Sequence, residues 1–274
     1  MTNLSSLSAL GGALLTLILA GALAACAPTS GRGAMAQGQG VVGGTEADAS
    51  TFGAASVVMI YGESPSNPTF ICTGTFISPE WILTAAHCAP KEATNLDVFF
   101  GRKPFEDAAQ GLTVKRVVRL SDGKRNLNNQ DDLALIQFAG GLPAGAAIAA
   151  LPTAAFGSEA VLALGYGRVR GVENAEGDEG TGVLRAVTLS LLKTEITPLQ
   201  FRADQTAGQG VCSGDSGGPA LINQNGNAVI VGVASAVYSA DGVNENVDGF
   251  DHCRQRSLYN RVDAHLEWIR FVLQ

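Results

Sequence analysis

Apolar residues recur along this chain in many short runs separated by turn-forming Gly, Pro, Asn and Asp, with no long 3.6-residue periodicity between them. Runs at Ser56–Tyr61, Thr69–Ser78, Trp81–Thr84, Val98–Phe100, Thr113–Leu120 and Leu133–Phe138 make a first group. Runs at Ala160–Tyr166, Val183–Leu191, Ala220–Ile222, Val229–Ser235 and Ser257–Arg261 make a second, and the small, Pro-containing stretch Gly140–Ala150 links the two. Short β-like runs at this spacing predict antiparallel barrels or a sandwich. The end of the chain changes pattern. Asp263 is placed to cap a helix running to Val272, with Leu266, Ile269 and Val272 on one face.

Before the first run the pattern is different again. Leu7 to Ala25 is almost wholly apolar or small and carries no charge, which reads as a secretion signal. No Lys or Arg precedes it, and Arg32 is the first basic side chain. Leu23-Ala24-Ala25-Cys26 resembles a bacterial lipobox, in which Cys26 takes the lipid and starts the mature chain. Cleavage after Ala22-Leu23-Ala24, or an uncleaved anchor of near bilayer-spanning length, are the alternative readings. Residues 27–40, rich in Gly, Ala and Gln, read as a linker or pro-segment. The expected organisation is a signal segment at 1–25, a linker at 26–40 and one folded domain at 41–274.

Composition narrows the function. The 274 residues are 46% hydrophobic with 34 glycines, which suits a compact, turn-rich β protein. Only 16% are charged and the net charge is −7, so the positive footprint that nucleic-acid binding needs is missing. Five cysteines occur, at 26, 72, 88, 212 and 253.

Candidate chemistry is concentrated in Cys212-Ser213-Gly214-Asp215-Ser216-Gly217-Gly218-Pro219. A serine hydroxyl is a poor nucleophile unless a base takes its proton and donors receive the charge on the carbonyl it attacks. The glycines permit a tight turn that exposes Ser216 and aims N–H groups at one point. A base, His87, lies upstream in Thr84-Ala85-Ala86-His87-Cys88. It is one of three histidines; His252 and His265 fit structural or solvent-facing roles better. A carboxylate lies between, in Asp131-Asp132-Leu133-Ala134-Leu135-Ile136, where Asp132 enters the apolar run and Asp131 precedes it.

With these motifs in the order His, Asp, Ser, the chain resembles the trypsin/chymotrypsin-like serine peptidases from about Val41 to its C-terminus. Val41-Val42-Gly43-Gly44, Gly165-Tyr166-Gly167, Val231–Ser235 and Tyr259–Val262 add to the likeness. The resemblance implies an all-β fold of two six-stranded antiparallel β-barrels with a C-terminal α-helix. The barrels would span about 53–140 and 150–262, the helix 263–272. It implies His87, Asp132 and Ser216 as catalytic residues, an oxyanion hole from the N–H groups of Gly214 and Ser216, and Ser235 as support for Asp132. It pairs Cys72 with Cys88 and Cys212 with Cys253, which leaves Cys26 for lipid and requires an oxidising compartment.

The resemblance further implies a zymogen. A new α-amino group on Val41 would pair with Asp215, and the preceding Gly40 implies no trypsin-like activator. Gly210, Val211, Val237 and Ser257 fall at positions of the primary specificity pocket. Their neutrality, and the bulk of Val237, imply an elastase-like pocket taking small aliphatic residues. Ala236 stands where the family usually has Trp, and 238–252 is a long polar insertion before Cys253. The expectation is therefore a bacterial-type, exported serine endopeptidase: periplasmic or extracellular, monomeric, and membrane-attached only through its N-terminal lipid or signal segment. Its partners are protein or peptide substrates and an activating protease. No cofactor and no metal are expected; Asn244, Asn246, Asp248 and Gly249 make a poor calcium loop because Gln255 stands where Glu is needed. Glu173–Glu179 reads as an exposed acidic loop. Two other readings compete. One is a binding protein on the same fold. The other is an α/β-hydrolase esterase drawing on Asp248 and His265.

Overall fold

The computed structural model describes residues 41–107, 109–124, 127–172 and 180–274. The expected signal segment at 1–25, the expected linker at 26–40 with Cys26, and the acidic stretch at 173–179 lie outside the described residues.

Fourteen strands are named in chain order. They are β1 (Thr45–Glu46), β2 (Val57–Ser64), β3 (Asn67–Ser78), β4 (Trp81–Thr84), β5 (Asn95–Phe100), β6 (Gln110–Leu112), β7 (Val114–Arg119), β8 (Ala134–Phe138), β9 (Ala160–Gly165), β10 (Arg185–Leu191), β11 (Gln200–Asp204), β12 (Pro219–Gln224), β13 (Asn227–Tyr238) and β14 (Arg256–Arg261). A helix, α1 (Leu266–Leu273), follows one 3-10 turn at Asp263–His265. Every pairing between named strands is antiparallel. That pattern excludes the βα alternation an α/β-hydrolase requires.

The first sheet curls in the order β6-β5-β2-β3-β4-β8-β7. The second closes on itself: β9, β10, β11, β14, β13 and β12 form a six-strand barrel because β9 pairs with both β10 and β12, and β1 adds to the β10 edge. The first barrel therefore has one strand more than expected, β6, and its ends are not hydrogen-bonded to each other. Closure removes sheet edges, which otherwise invite pairing with other chains.

Burial explains why several runs read as continuous rather than alternating. Val57 to Ile60 in β2 and Ala134 to Ile136 in β8 are buried at consecutive positions. Such strands are covered on both faces, one by their own barrel and the other by neighbouring structure. The largest core cluster joins Val57, Phe76, Leu83 and Leu135 of the first barrel to Leu164, Leu221 and Val233 of the second. Leu266, Ile269 and Val272 of α1 pack on it, as their spacing anticipates. The β12–β13 hairpin turns on Asn225 and Gly226, both at positive φ, the two-residue geometry that matches strand twist.

One local expectation fails. Asp263 does not cap the helix with its side chain. Its carboxylate takes a bidentate pair from Arg261 and the N–H of Phe156 instead. A guanidinium two residues away outcompetes the helix N–H groups because a charge-assisted, forked contact is the stronger one.

Candidate active site

His87 sits in a single 3-10 turn, Ala86–Cys88, just after β4. Asp132 lies one residue short of Leu133 and two short of β8, and is fully buried. Its Oδ1 accepts from the His87 backbone N–H at 3.0 Å, and its Oδ2 faces His87 Nδ1 at 2.7 Å. The Ser235 hydroxyl, from β13 of the other barrel, donates to the same Oδ2 at 2.6 Å. Burial pushes the Asp132 carboxyl up. The hydrogen bond and charge of His87, with the Ser235 bond, outweigh burial and hold it below the usual carboxylate value. An ionised acceptor on Nδ1 fixes that nitrogen as the protonated one, leaving Nε2 as the base. Nε2 is buried and has no hydrogen-bond partner among the described residues. Asp131, by contrast, is exposed and its Oδ1 faces His265 Nε2 at 3.2 Å.

His87, Gly214 and Ser216 line one cleft of about 730 Å³ together with Tyr61, Phe70 and Arg168. The loop carrying Ser216 is held from three sides. Ser216 O accepts from Thr73 N–H at 2.8 Å, Gly217 N–H donates to Ala234 O at 2.7 Å, and the Cys212–Cys253 disulfide fastens its start. Gly214 has φ +98°, and a Cβ there would sit 2.7 Å from the Gly167 Cα, so only glycine fits. The Ser213 carbonyl accepts from Arg168 N–H at 2.8 Å. In a trans peptide the N–H points opposite its carbonyl, so Gly214 N–H is turned away from Arg168. Neither Gly214 N–H nor Ser216 N–H has a partner among the described residues.

Behind this loop Asp215 is completely buried. Its carboxylate accepts from Gly167 N–H and Cys212 N–H, each at 2.8 Å. Burial raises it to about 7, against those two bonds and the attraction of Arg185. A Cβ on Gly165 or Gly167 would meet this carboxylate at 2.1 and 2.6 Å, which accounts for both glycines of Gly165-Tyr166-Gly167. Val41 and Val42 are fully buried, Val41 in the second-barrel core and Val42 against the Cys212–Cys253 disulfide. Val41 has φ +45°, an outlier for a β-branched residue. Gly210 N–H donates to Val42 O at 2.8 Å.

Of the pocket candidates, Val211 is buried and Val237 packs against Val42, Cys212 and Cys253. Ser257 pairs with Val237 in the β13–β14 ladder and is fully buried. The second disulfide, Cys72–Cys88, brackets the His87 turn. The insertion at 238–252 begins as the end of β13, and its exposed far side carries Asn244, Asn246, Asp248 and Gly249. Asp248 is thus apart from Ser216, and His265 is engaged by Asp131 and by Arg261 O at 2.7 Å.

Sequence reasoning overlooked Thr73. Its hydroxyl donates to Gly214 O at 3.0 Å and accepts from Tyr166 N–H at 3.2 Å. One side chain of the first barrel thus braces the turn next to Ser216. The available signal was a threonine directly after Cys72 inside an apolar strand. Arg119 was overlooked as well. It donates to the carbonyls of Ala89 and Pro90 just beyond His87.

The trypsin family model matches residues 41–269 of this chain. The chain belongs to the trypsin family. It is a serine endopeptidase, a hydrolase whose substrates are proteins or peptides. Similar curated proteins include serine protease SP24D of Anopheles gambiae, 28% identical over 87% of this chain and 83% of the relative. Brachyurin of Leptuca pugilator is 29% identical over 84% of this chain and 97% of its own length. Snake venom serine protease pallabin of Gloydius halys is 28% identical over 75% of this chain and 78% of its own. These relatives are animal proteins, so they lend no support to the expectation of a bacterial-type member.

Proposed function

We propose that this chain is an exported serine endopeptidase, made as a zymogen, that cleaves after small aliphatic residues. The observation that carries the reading is the single hydrogen-bonded chain Ser235–Asp132–His87, whose last member, with Nε2 unpartnered among the described residues, lines the same cleft as Ser216. In this reading Ser216 Oγ attacks the scissile carbonyl while His87 Nε2 takes its proton. Asp132 holds the ring tautomer and stabilises the imidazolium. The unpartnered N–H groups of Gly214 and Ser216 receive the negative charge on the carbonyl oxygen. His87 then protonates the leaving amine, an acyl-enzyme remains on Ser216, and water enters by the same steps in reverse order.

Activation follows from the buried end of the domain. Cleavage after Gly40 by another protease removes the φ +45° constraint on Val41 and creates an α-amine that would move to pair with a fully buried carboxylate, Asp215. A buried acid lacking a hydrogen-bonded cation is unfavourable, so the new pair favours the ordered loop. Two disulfides fit an exported, oxidised enzyme. Lipid on Cys26 would hold the precursor to a membrane until the cut releases a soluble, monomeric domain. The neutral Gly210, and Val237 packed over the pocket wall, support the preference for Ala or Val before the scissile bond.

A fluorophosphonate probe on the processed protein tests the catalytic assignment, with mass spectrometry of the labelled peptide and of the mature N-terminus. Expected are stoichiometric label on Ser216, none in Ser216→Ala, and an N-terminus at Val41. Full peptidase activity in Ser216→Ala sinks the assignment. Full activity with the Gly40–Val41 bond intact sinks the zymogen.

A further inference from the structure

We propose that the side-chain amide of Gln205, not residue 210, forms the floor of the primary specificity pocket, so that Gln205 determines how deep and how neutral that pocket is. The inference deepens the reading above and rests on it. Gln205 immediately follows β11 and is completely buried. A Cβ built on Gly210 would lie 2.5 Å from both Cδ and Nε2 of Gln205, and 2.7 Å from Cys253 O. The space a side chain at 210 would enter is therefore already filled by this amide.

The amide is also fixed. Its Nε2 donates to Val211 O at 3.1 Å and to Cys253 O at 2.8 Å, while its Oε1 accepts from Val211 N–H at 2.8 Å. Two acceptors and one donor face it, which determines which end is oxygen. Both amide hydrogens are used, so the floor has none to offer a substrate and carries no charge. It also ties the 210–212 segment to Cys253, the far end of the second disulfide. Glycine at 210 is then a consequence of Gln205, because any larger residue collides with a group anchored three ways. A long cationic side chain finds neither depth nor a carboxylate, and a small aliphatic one fills what remains beneath Val237.

The test uses the processed enzyme and four variants: Gly210→Asp, Gln205→Ala, Gln205→Met, and the double change Gln205→Gly with Gly210→Asp. Each is titrated with fluorophosphonate, and kcat/KM is measured on matched peptides with Ala, Leu or Arg before the scissile bond. Gly210→Asp alone should not turn the enzyme toward Arg. The double variant should raise the Arg-to-Ala ratio by about 100-fold, since a close buried charge pair forms only once the amide is gone. Gln205→Ala should raise the Leu-to-Ala ratio by about tenfold, as about two to three methylene volumes are opened. Gln205→Met, similar in bulk but without the amide, should keep the parent ratio although it is less stable. The proposal is overturned if Gly210→Asp alone gains the same Arg preference as the double variant. It is overturned equally if Gln205→Ala and Gln205→Met have the same Leu-to-Ala ratio. The single substitutions decide the matter even if the double variant does not fold. Parent enzyme that takes no label at Ser216 defeats the catalytic reading, and this inference with it.

Discussion

Asp215 should make the uncut chain lose stability as pH rises, opposite to a carboxylate held low by a cationic partner. In the continuous chain its carboxyl is raised from 3.8 to about 7 by burial. The folded chain therefore keeps a proton that the unfolded chain releases, and stability falls with pH wherever the folded state binds more protons. The contribution is complete below the unfolded value near ~3.9 and is lost as pH climbs through about 7. At ~1.36 kcal/mol per pH unit the loss across that window is at most about 4 kcal/mol. Two other clearly shifted carboxyl groups, the buried Asp132 and the half-buried Asp263, are held low. Their stabilisation is lost only as pH falls below the ordinary carboxylate range, so they are constant above about pH 5. The assay is urea unfolding of Ser216→Ala precursor, its Gly40–Val41 bond intact, at steps from pH 5 to 7.5, beside the same protein carrying Asp215→Asn. The difference between the two should shrink by a few kcal/mol with rising pH, a midpoint change on the order of 1 M urea. Cleaved protein, with an amine on Val41, should lose this slope. A slope that persists in Asp215→Asn, or a difference that does not change with pH, refutes the reasoning.

Other outcomes follow from the same contacts. Asp132→Asn should lower kcat by about 10⁴-fold because the histidine tautomer is no longer fixed, while Asp131→Asn stays within a few-fold of the parent. Steady-state kinetics of the pair decide which aspartate orients His87. Thr73→Val removes the hydroxyl between Gly214 O and Tyr166 N–H and leaves buried polar groups unpaired, costing about 2–4 kcal/mol. Thermal unfolding measures that loss. A fall in kcat partly restored by Thr73→Ser would locate the effect at the Gly214 turn. Ser235→Ala should slow turnover and cost about 1–3 kcal/mol, since a buried carboxylate loses one of its donors.

Much of the fold was legible because barrel strands must place apolar residues inside. The runs at 56–61, 69–78, 81–84 and 160–166 correspond closely to β2, β3, β4 and β9. Strands β6, Gln-Gly-Leu, and β11, Gln-Phe-Arg-Ala-Asp, were not recognised, because their pairing rests on backbone bonds and their composition is that of a loop. Strand ends are also longer than the apolar runs suggest: β12 continues through Asn223 to Gln224, past its last apolar residue, and β13 continues beyond Ser235 through Ala236 and Val237 to Tyr238. The candidate site was readable because nucleophile, base and turn demand particular residue types within a few positions. Thr73, Gln205 and Asn260 were not, because a polar residue in a strand or directly after one reads as solvent-facing. Only the assembled barrels show Asn260 Nδ2 on Asp132 O and Gln200 Nε2 on Asn260 Oδ1.

The loop between Tyr238 and Cys253 is pinned at its return. Cys253 is bonded to Cys212, and Asp251 Oδ1 accepts from both Gly171 N–H and Cys253 N–H. Between these anchors its tip is exposed, with Val243 and Val247 turned to solvent. Such an arrangement makes the tip an interchangeable part. Doubling a loop's length costs only about 0.6 kcal/mol in closure entropy, and here the pinned end keeps that change from reaching the pocket wall. Evolution, or a designer, can therefore lengthen or recharge this exposed tip without rebuilding the anchors beneath it.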